Sequence, residues 1–388
     1  MTRRSLRVAT TVAAAIAMPL AACTDNNTSS GGSGGEIAVT STDDACNVSA
    51  GEAPSGNLVF DVSNDGTQVT EFYLLGADGL RIVGEVENIG PGISRKLIVQ
   101  AGPGSYVTAC KPGMVGEGIR ADFTVTDSGE DLGPTGETAD MIETATTQYG
   151  AYVRDQTEQL VADTEAFAAL YRSGDDDGAR AVYASTRMHW ERIEPVAESF
   201  GDLDPRLDLR EADLEPGQIW TGWHRIEKDL WPEGDPAYTP ATADEREKLA
   251  EQLVLDTLEL HERVLALTFS ADQLGNGAKE LLDEVATGKV TGEEEIWSHT
   301  DLWDFQANVD GARIAFEVLQ PVVEVKDPEL AVTLTSRFSE LQALLDQHRD
   351  GEGFVLYDEL SDDQVKTLSD AVNALSEPLS ELTAVVVL

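Results

Sequence analysis

The sequence predicts a two-domain chain: an all-β Greek-key sandwich followed by an all-α helical bundle. Three observations predict it. Residues 36–126 contain seven short runs rich in β-formers, at 36–41, 57–62, 70–75, 80–86, 94–100, 105–110 and 120–126. Turn signals such as Asn64-Asp65-Gly66 and Gly102-Pro103-Gly104 separate them. From Met141 onward, apolar residues recur at helical spacing between capping signals. Between the two, residues 127–140 are Gly, Pro, Thr and acids without periodicity, the composition of a linker.

Residues 1–22 read as an export signal. Arg3, Arg4 and Arg7 precede an apolar run to Leu20 that is too short for a membrane span. Leu20-Ala21-Ala22-Cys23 resembles a bacterial lipobox, which implies cleavage before Cys23 and lipidation of its thiol. Residues 23–35 form a polar Gly/Ser tether. The expected location is the outer face of the cytoplasmic membrane.

Acidic residues outnumber basic ones 71 to 27, for a net charge of −44. Repulsion from phosphate argues against nucleic acid as a partner and favours cations. In the β region, Cys110 followed by Met114 near the last run resembles the cupredoxin arrangement. A blue-copper centre needs two histidines, and all five histidines lie at 189 or beyond. Cys46 and Cys110 leave two readings open: a disulfide, as is usual for exported proteins, or a soft metal site with Met114 and with Glu71 or Glu85, suited to Cu(I).

In the helical region, Val153, Leu160, Phe167 and Leu170 form a stripe that ends at Ser173-Gly174-Asp175. A second helix is expected over 179–200, bent at Pro195, with Glu191 and Glu194 on one face. An irregular acidic stretch, 201–217, leads to the helix of Trp223-His224-Arg225-Ile226-Glu227. There His224 and Glu227, three apart, share a face and form half a metal site. A further helix covers 244–267. Thr291-Gly292-Glu293-Glu294 reads as a capping box for a helix carrying His299 and Asp301. Asp327-Pro328 and Ser361-Asp362-Asp363-Gln364 open two more. All six tryptophans fall between Trp190 and Trp303, among these acids and histidines.

Gly222-Trp223-His224-Arg225-Ile226-Glu227 is similar to the GxHxxE motif of the imelysin-like family. The segments around 189–204 and 298–312, together with the domain order, resemble the extracytoplasmic EfeO-type components of iron-uptake systems. The resemblance spans about residues 36–388. It implies a cupredoxin-like domain, an imelysin-like domain and a binding role rather than an enzymatic one. It implies iron, Fe(III) or Fe(II), as cargo, with zinc or copper as further candidates. His224 and Glu227 are the implied ligands, with Glu191 and Glu194 from the acidic pair and Asp301 or His299 completing the site. The implied partners are a membrane iron permease and a haem-type peroxidase of the same system, and the lipid anchor makes the membrane a third. Two other classes stand beside this reading. One is a lipoprotein adhesin or polymer-binding module with a structural zinc or calcium ion. The other is a metallopeptidase, for which the two-histidine HExxH pattern is missing. A lone imidazole among carboxylates is expected to lose metal as it protonates under mild acid.

Overall fold

A computed structural model describes residues 36–129, 136–214, 217–287 and 289–388. The export signal, Cys23 and the tether lie outside the described residues, as does the middle of the linker.

The β region begins with β1 (Ile37–Ser41), β2 (Cys46–Val48), β3 (Glu52–Pro54) and β4 (Gly56–Asn64). It continues through β5 (Thr70–Leu75), β6 (Ile82–Ile89), β7 (Ser94–Ala101), β8 (Gly104–Cys110) and β9 (Ile119–Thr126). Alternation along β4 turns Leu58, Phe60 and Val62 inward. Two sheets form, in the orders β2-β1-β4-β7 and β3-β9-β8-β5-β6. Their facing side chains share one core, with Phe60 against Phe72 and Phe123. The expected sandwich is therefore present, with β2 and β3 as two short strands beyond the seven runs read from the sequence.

Cys46 and Cys110 are joined by a disulfide. This closes the soft-metal alternative, because neither sulfur is left as a thiolate. The sheet also separates the other proposed ligands from the sulfurs. Cys110 pairs across from Phe72 on the inner face. Tyr73, one residue on, faces the other way, pairs with Glu85 and donates to Glu71 at 2.7 Å. Met114, with φ of 59°, is 44% exposed on the turn after β8.

The helical region opens with α1 (Ala139–Ser173), which Gly174 ends in a left-handed cap. α2 (Asp176–Glu191) follows, then α3 (Asp204–Leu207), α4 (Trp223–Leu230), α5 (Ala243–Ala266), α6 (Ala271–Thr287) and α7 (Asp301–Lys326). α8 (Pro328–Leu345), a minimal hairpin β10 (Arg349–Asp350) and β11 (Gly353–Phe354), α9 (Asp362–Leu379) and α10 (Leu382–Val387) complete the chain. The Asp327 cap and the Ser361 capping box are formed as expected. Among the described residues no helix is long and apolar enough to cross a membrane.

Two expectations are corrected. Residues 179–200 are not one bent helix: α2 ends at Glu191, and Glu194–Phe200 is a 3-10 turn. The break lets the chain pass very close to two later helices. A Cβ on Gly277 of α6 would lie 1.9 Å from the Pro195 carbonyl oxygen, and one on Gly311 of α7 would lie 2.5 Å from that of Arg192. Thr291 does not cap a helix either. It closes the 3-10 turn Lys289–Thr291, residues 292–300 are irregular, and α7 starts only at Asp301. The Glu294 side chain is drawn inward to buried cations instead of back onto the chain. Helix α6, which the periodicity did not reveal, docks the β region on the bundle. Its Asp272 accepts from the Gln100 backbone at 2.7 Å, Asn276 donates to the Ile98 carbonyl at 2.8 Å, and Asp283 pairs with Arg95 at 3.3 Å.

Gly222 sets the start of α4. Its φ is 85°, and an added Cβ would meet the Leu207 carbonyl oxygen at 2.0 Å. Gly222→Ala is expected to cost on the order of 3 kcal/mol or more through strain and clash, read as a lower urea midpoint. Gly150→Ala is the control. Its methyl meets only ordinary contact, 3.6 Å from Phe269, and its helical site predicts a neutral or mildly stabilising change. Replacing both Cys46 and Cys110 by Ser is expected to cost at most about 4 kcal/mol for a loop of this length, measured by the same titration, the two cysteines being 64 positions apart in sequence.

Candidate metal centre

Four segments converge on His224. Helix α4 buries Trp223, Ile226 and Leu230 against the bundle core and turns His224 and Glu227 together onto the adjacent face. Helix α2 brings Arg187 and Glu191. The residue after α3 is Asp208, and the irregular 292–300 segment supplies Glu294 and Glu295.

The imidazole is fully buried and flanked on both sides by carboxylates. Nδ1 lies 3.3 Å from Glu227 Oε2 and 3.8 Å from Glu295 Oε1. Nε2 lies 3.4 Å from Asp208 Oδ1 and 3.5 Å from Glu294 Oε1, and has no hydrogen-bond partner. Either set of three, His224 with Asp208 and Glu294 or His224 with Glu227 and Glu295, has ligand atoms close enough to hold one ion.

The two sides differ in how their oxygens are engaged. Glu227 Oε1 accepts from the Trp297 and Ser298 backbone N–H groups at 3.0 and 2.7 Å. Glu295 accepts from Tyr183 at 3.2 Å and Ser298 Oγ at 2.9 Å, and pairs with Arg187 Nε at 2.6 Å. That side is saturated. Asp208 is bound by Trp190 Nε1 at 2.8 Å and by Arg187 Nη1. Asp208 and Glu294 also line a cleft of about 560 Å³. Helix α6 adds Glu280 and Glu284 to its wall, and the β region adds Glu87 and Met114. Among the described residues lining it, Arg210 is the only cation. The Nε2 side therefore has both the orphaned ring nitrogen and the two carboxylates that reach the cleft.

Buried charge sets the protonation states. Burial and the nearby Arg187 push the His224 pKa down, but Asp208, Glu227 and Glu294 outweigh them and hold it up at about 10. Burial alone would raise Glu294; Lys289, His224 and Arg187 reverse this and keep it well below the usual carboxylate range. Asp304 shows the opposite balance. Burial, with Glu191 and Glu294, outweighs Arg187 and Lys289 and pushes it well up. Neither of its carboxyl oxygens has a hydrogen-bond partner.

Of the residues expected from the sequence, His224 and Glu227 are brought together as read. Glu191 and Glu194 are held elsewhere, by Arg187, Lys289 and Asn308. Asp301 Oδ1 accepts from the Glu295 backbone at 3.1 Å and so shapes the 292–300 segment; burial, with Glu294 and Glu227, pushes its pKa up to about 6. His299 is half-buried at φ of 58°, and its backbone, not its ring, is engaged, with Glu295 and Tyr357. The ring belongs to neither ligand set. Asp208, Glu294, Glu295, Arg187 and Lys289 were not anticipated. Asp208 sat in a stretch read as irregular, and Glu294 in one read as a helix cap.

A β sandwich docked on a helical bundle, with a buried histidine among carboxylates, two of which line an acidic cleft, defines a two-domain protein with a candidate metal centre. The particular family is imelysin (peptidase family M75), to which this chain belongs: the family matches residues 145–382. The chain is 37% identical over 360 residues to the "Iron uptake system component EfeO" of Escherichia coli strain K12, covering 90% of this chain and 91% of that protein. The protein of the same name from Shigella flexneri matches to the same extent. The fold is also similar to the crystal structure of a protein described as an iron-regulated protein A precursor from Parabacteroides distasonis. That likeness has a TM-score of 0.51 at 16% identity and covers 66% of this chain and 97% of the other.

The raised His224 pKa moves the expected acid sensitivity. Below about 10 the empty site holds an imidazolium, so a bound metal displaces that proton even at neutral pH. Apparent affinity is expected to fall on the order of tenfold per pH unit on going down from pH 8 to 6. Calorimetry in buffers of different ionisation enthalpy should show about one proton released per metal at pH 7. A pH-independent affinity over that range would contradict the arrangement.

Proposed function

We propose that this chain is the iron-binding component of an uptake system, capturing iron outside the cytoplasmic membrane and passing it to a membrane permease. The observation that carries this reading is the orphaned His224 Nε2, set between Asp208 and Glu294, the two carboxylates that also line an acidic cleft. The names of the relatives, at this identity and coverage, supply the cargo.

In this reading His224 Nε2, Asp208 and Glu294 are the ligands. One imidazole with carboxylate oxygens is a donor set suited to Fe(II) or Fe(III), with zinc and manganese as competitors. Glu227 holds Nδ1–H and is itself held by two backbone N–H groups. It thereby sets the tautomer and ring orientation that present Nε2 to the ion. Glu227 is thus a positioning residue, and the acidic cleft raises the local cation concentration at its floor. Lipidation of Cys23 keeps the protein at the membrane, and a haem-type peroxidase of the same system is a further partner.

The test is metal titration of the full chain with anaerobic Fe(II), Fe(III)-citrate and zinc. His224→Ala is expected to lose at least a hundredfold in iron affinity. Glu227→Gln, which keeps the shape but not the charge, is expected to lose tenfold to a hundredfold, in the range of outer-shell partners. Trp190 donates to Asp208, so tryptophan fluorescence should change on binding and fail to change in His224→Ala. Iron affinity retained in His224→Ala would place the site elsewhere.

A further inference from the structure

Lys289 is one of the most deeply buried charges in the chain, at 1% exposure. Its ammonium sits 2.9 Å from Glu191 Oε2 and 2.8 and 2.7 Å from the two oxygens of Glu194. Asn308 Nδ2 donates to the same two carboxylates at 2.9 and 2.6 Å. Asn308 is fully buried, and its Oδ1 has no hydrogen-bond partner. Rotation of that amide would exchange its nitrogen for its oxygen, which is a change of hydrogen bonding and not of shape. Two carboxylates and an amide oxygen make an oxygen-donor set for a hard cation. The cation that fills it here belongs to the chain.

This pocket adjoins the His224 site through one atom. Glu294 Oε1 lies 3.5 Å from His224 Nε2 and 3.8 Å from Lys289 Nζ. Glu194 and Glu294 both line the cleft, so the lysine pocket and the His224 site each present a carboxylate to the same space. An acidic floor with two open donor sets bridged by one carboxylate would hold two metal ions. An ammonium fixed in one of them leaves room for a single ion and places a positive charge beside it. That charge lowers the affinity of the remaining site by Coulomb repulsion at short range.

We propose that the Glu191–Glu194–Asn308 pocket is a second divalent-cation site that Lys289 occupies in place of a metal, confining the cargo to one ion at His224. Lys289 is thus a specificity-determining residue for stoichiometry. The stoichiometric part of this inference rests on the His224 reading above; the pocket itself does not.

The experiment uses Mn(II) alone as the probe, because its electron paramagnetic resonance signal counts bound ions and broadens when two lie close together. The full chain is expected to bind one Mn(II), and Lys289→Met two, with a dipolar-broadened spectrum. His224→Ala is expected to bind none, and His224→Ala with Lys289→Met to bind one. Adding Glu194→Gln to Lys289→Met should return the count to one. If Lys289→Met folds only with Mn(II) present, its melting temperature should rise with Mn(II) far more than that of the unsubstituted chain, which supports the proposal. If it does not fold at all, Lys289→Gln, which keeps a hydrogen bond but no charge, is read in its place with the same expected gain. No additional Mn(II) in these lysine variants overturns the proposal. If His224→Ala binds Mn(II) as well as the parent does, the His224 reading fails, and the pocket is still judged by the gain between each lysine variant and its own parent.

Discussion

Arg187 holds the site together. Its guanidinium is fully buried in α2 and meets five carboxylates: Glu191, Asp208, Glu294, Glu295 and Asp304. They come from α2 itself, the end of α3, the 292–300 segment and α7. Left alone, these acids would repel one another, and each would be too costly to bury ionised. A guanidinium suits the position because its donors fork in a plane and its charge does not titrate away. Asp208, tied by Arg187 on one side and by Trp190 on the other, still turns an oxygen toward His224 Nε2. Lys289 does for Glu191 and Glu194 what Arg187 does for the rest.

The two internal cations leave an excess of buried negative charge around one imidazole. The molecule relieves it in part by protonation. His224 is held charged, and Asp304 is pushed toward its neutral form. A multivalent ion would relieve it further, which gives the cluster a thermodynamic reason to bind metal. The tryptophans now have a role beyond filling space. Trp190 orients Asp208 through its ring nitrogen, Trp297 orients Glu227 through its backbone, and Trp223 packs α4 on Phe167 and Tyr183. The β sandwich contributes none of the carboxylates around His224. Docked along α6, it supplies one wall of the cleft through Glu87 and Met114.

Much of this was readable in local patterns. The runs of β-formers and the glycine-marked turns announced the sandwich, an apolar stripe at helical spacing announced α1, and capping signals announced α8 and α9. The pair His224 and Glu227 was readable because helical spacing alone places them together. The misreadings share a cause. Glu191 and Glu194 were placed on a continuous helix, but that helix stops where Gly277 and Gly311 let α6 and α7 come against the chain. Thr291 to Glu294 has the letters of a capping box. The burial energy of Glu294 beside Lys289, Arg187 and His224 outweighs the modest gain of a surface cap. Cys46 and Cys110 had two chemistries open to them, and the packing of the two sheets decided by bringing the cysteines together across the shared core, while register turned Glu71 and Glu85 to the other face.

By itself, then, the sequence determined the two fold classes, the strong acidity, and the one pair of the site, His224 and Glu227, whose members lie within a single turn. Those are properties of composition and of short-range geometry, which need no knowledge of distant contacts. Tertiary structure decided everything that depends on segments far apart in the chain. It chose Asp208 and Glu294 over Glu191 and Glu194 as neighbours of the imidazole, put Arg187 and Lys289 inside, and left Nε2 rather than Nδ1 facing the cleft. The physical reason is that a buried charge takes its partner from whatever folding brings within a few ångströms, and sequence spacing does not specify that distance.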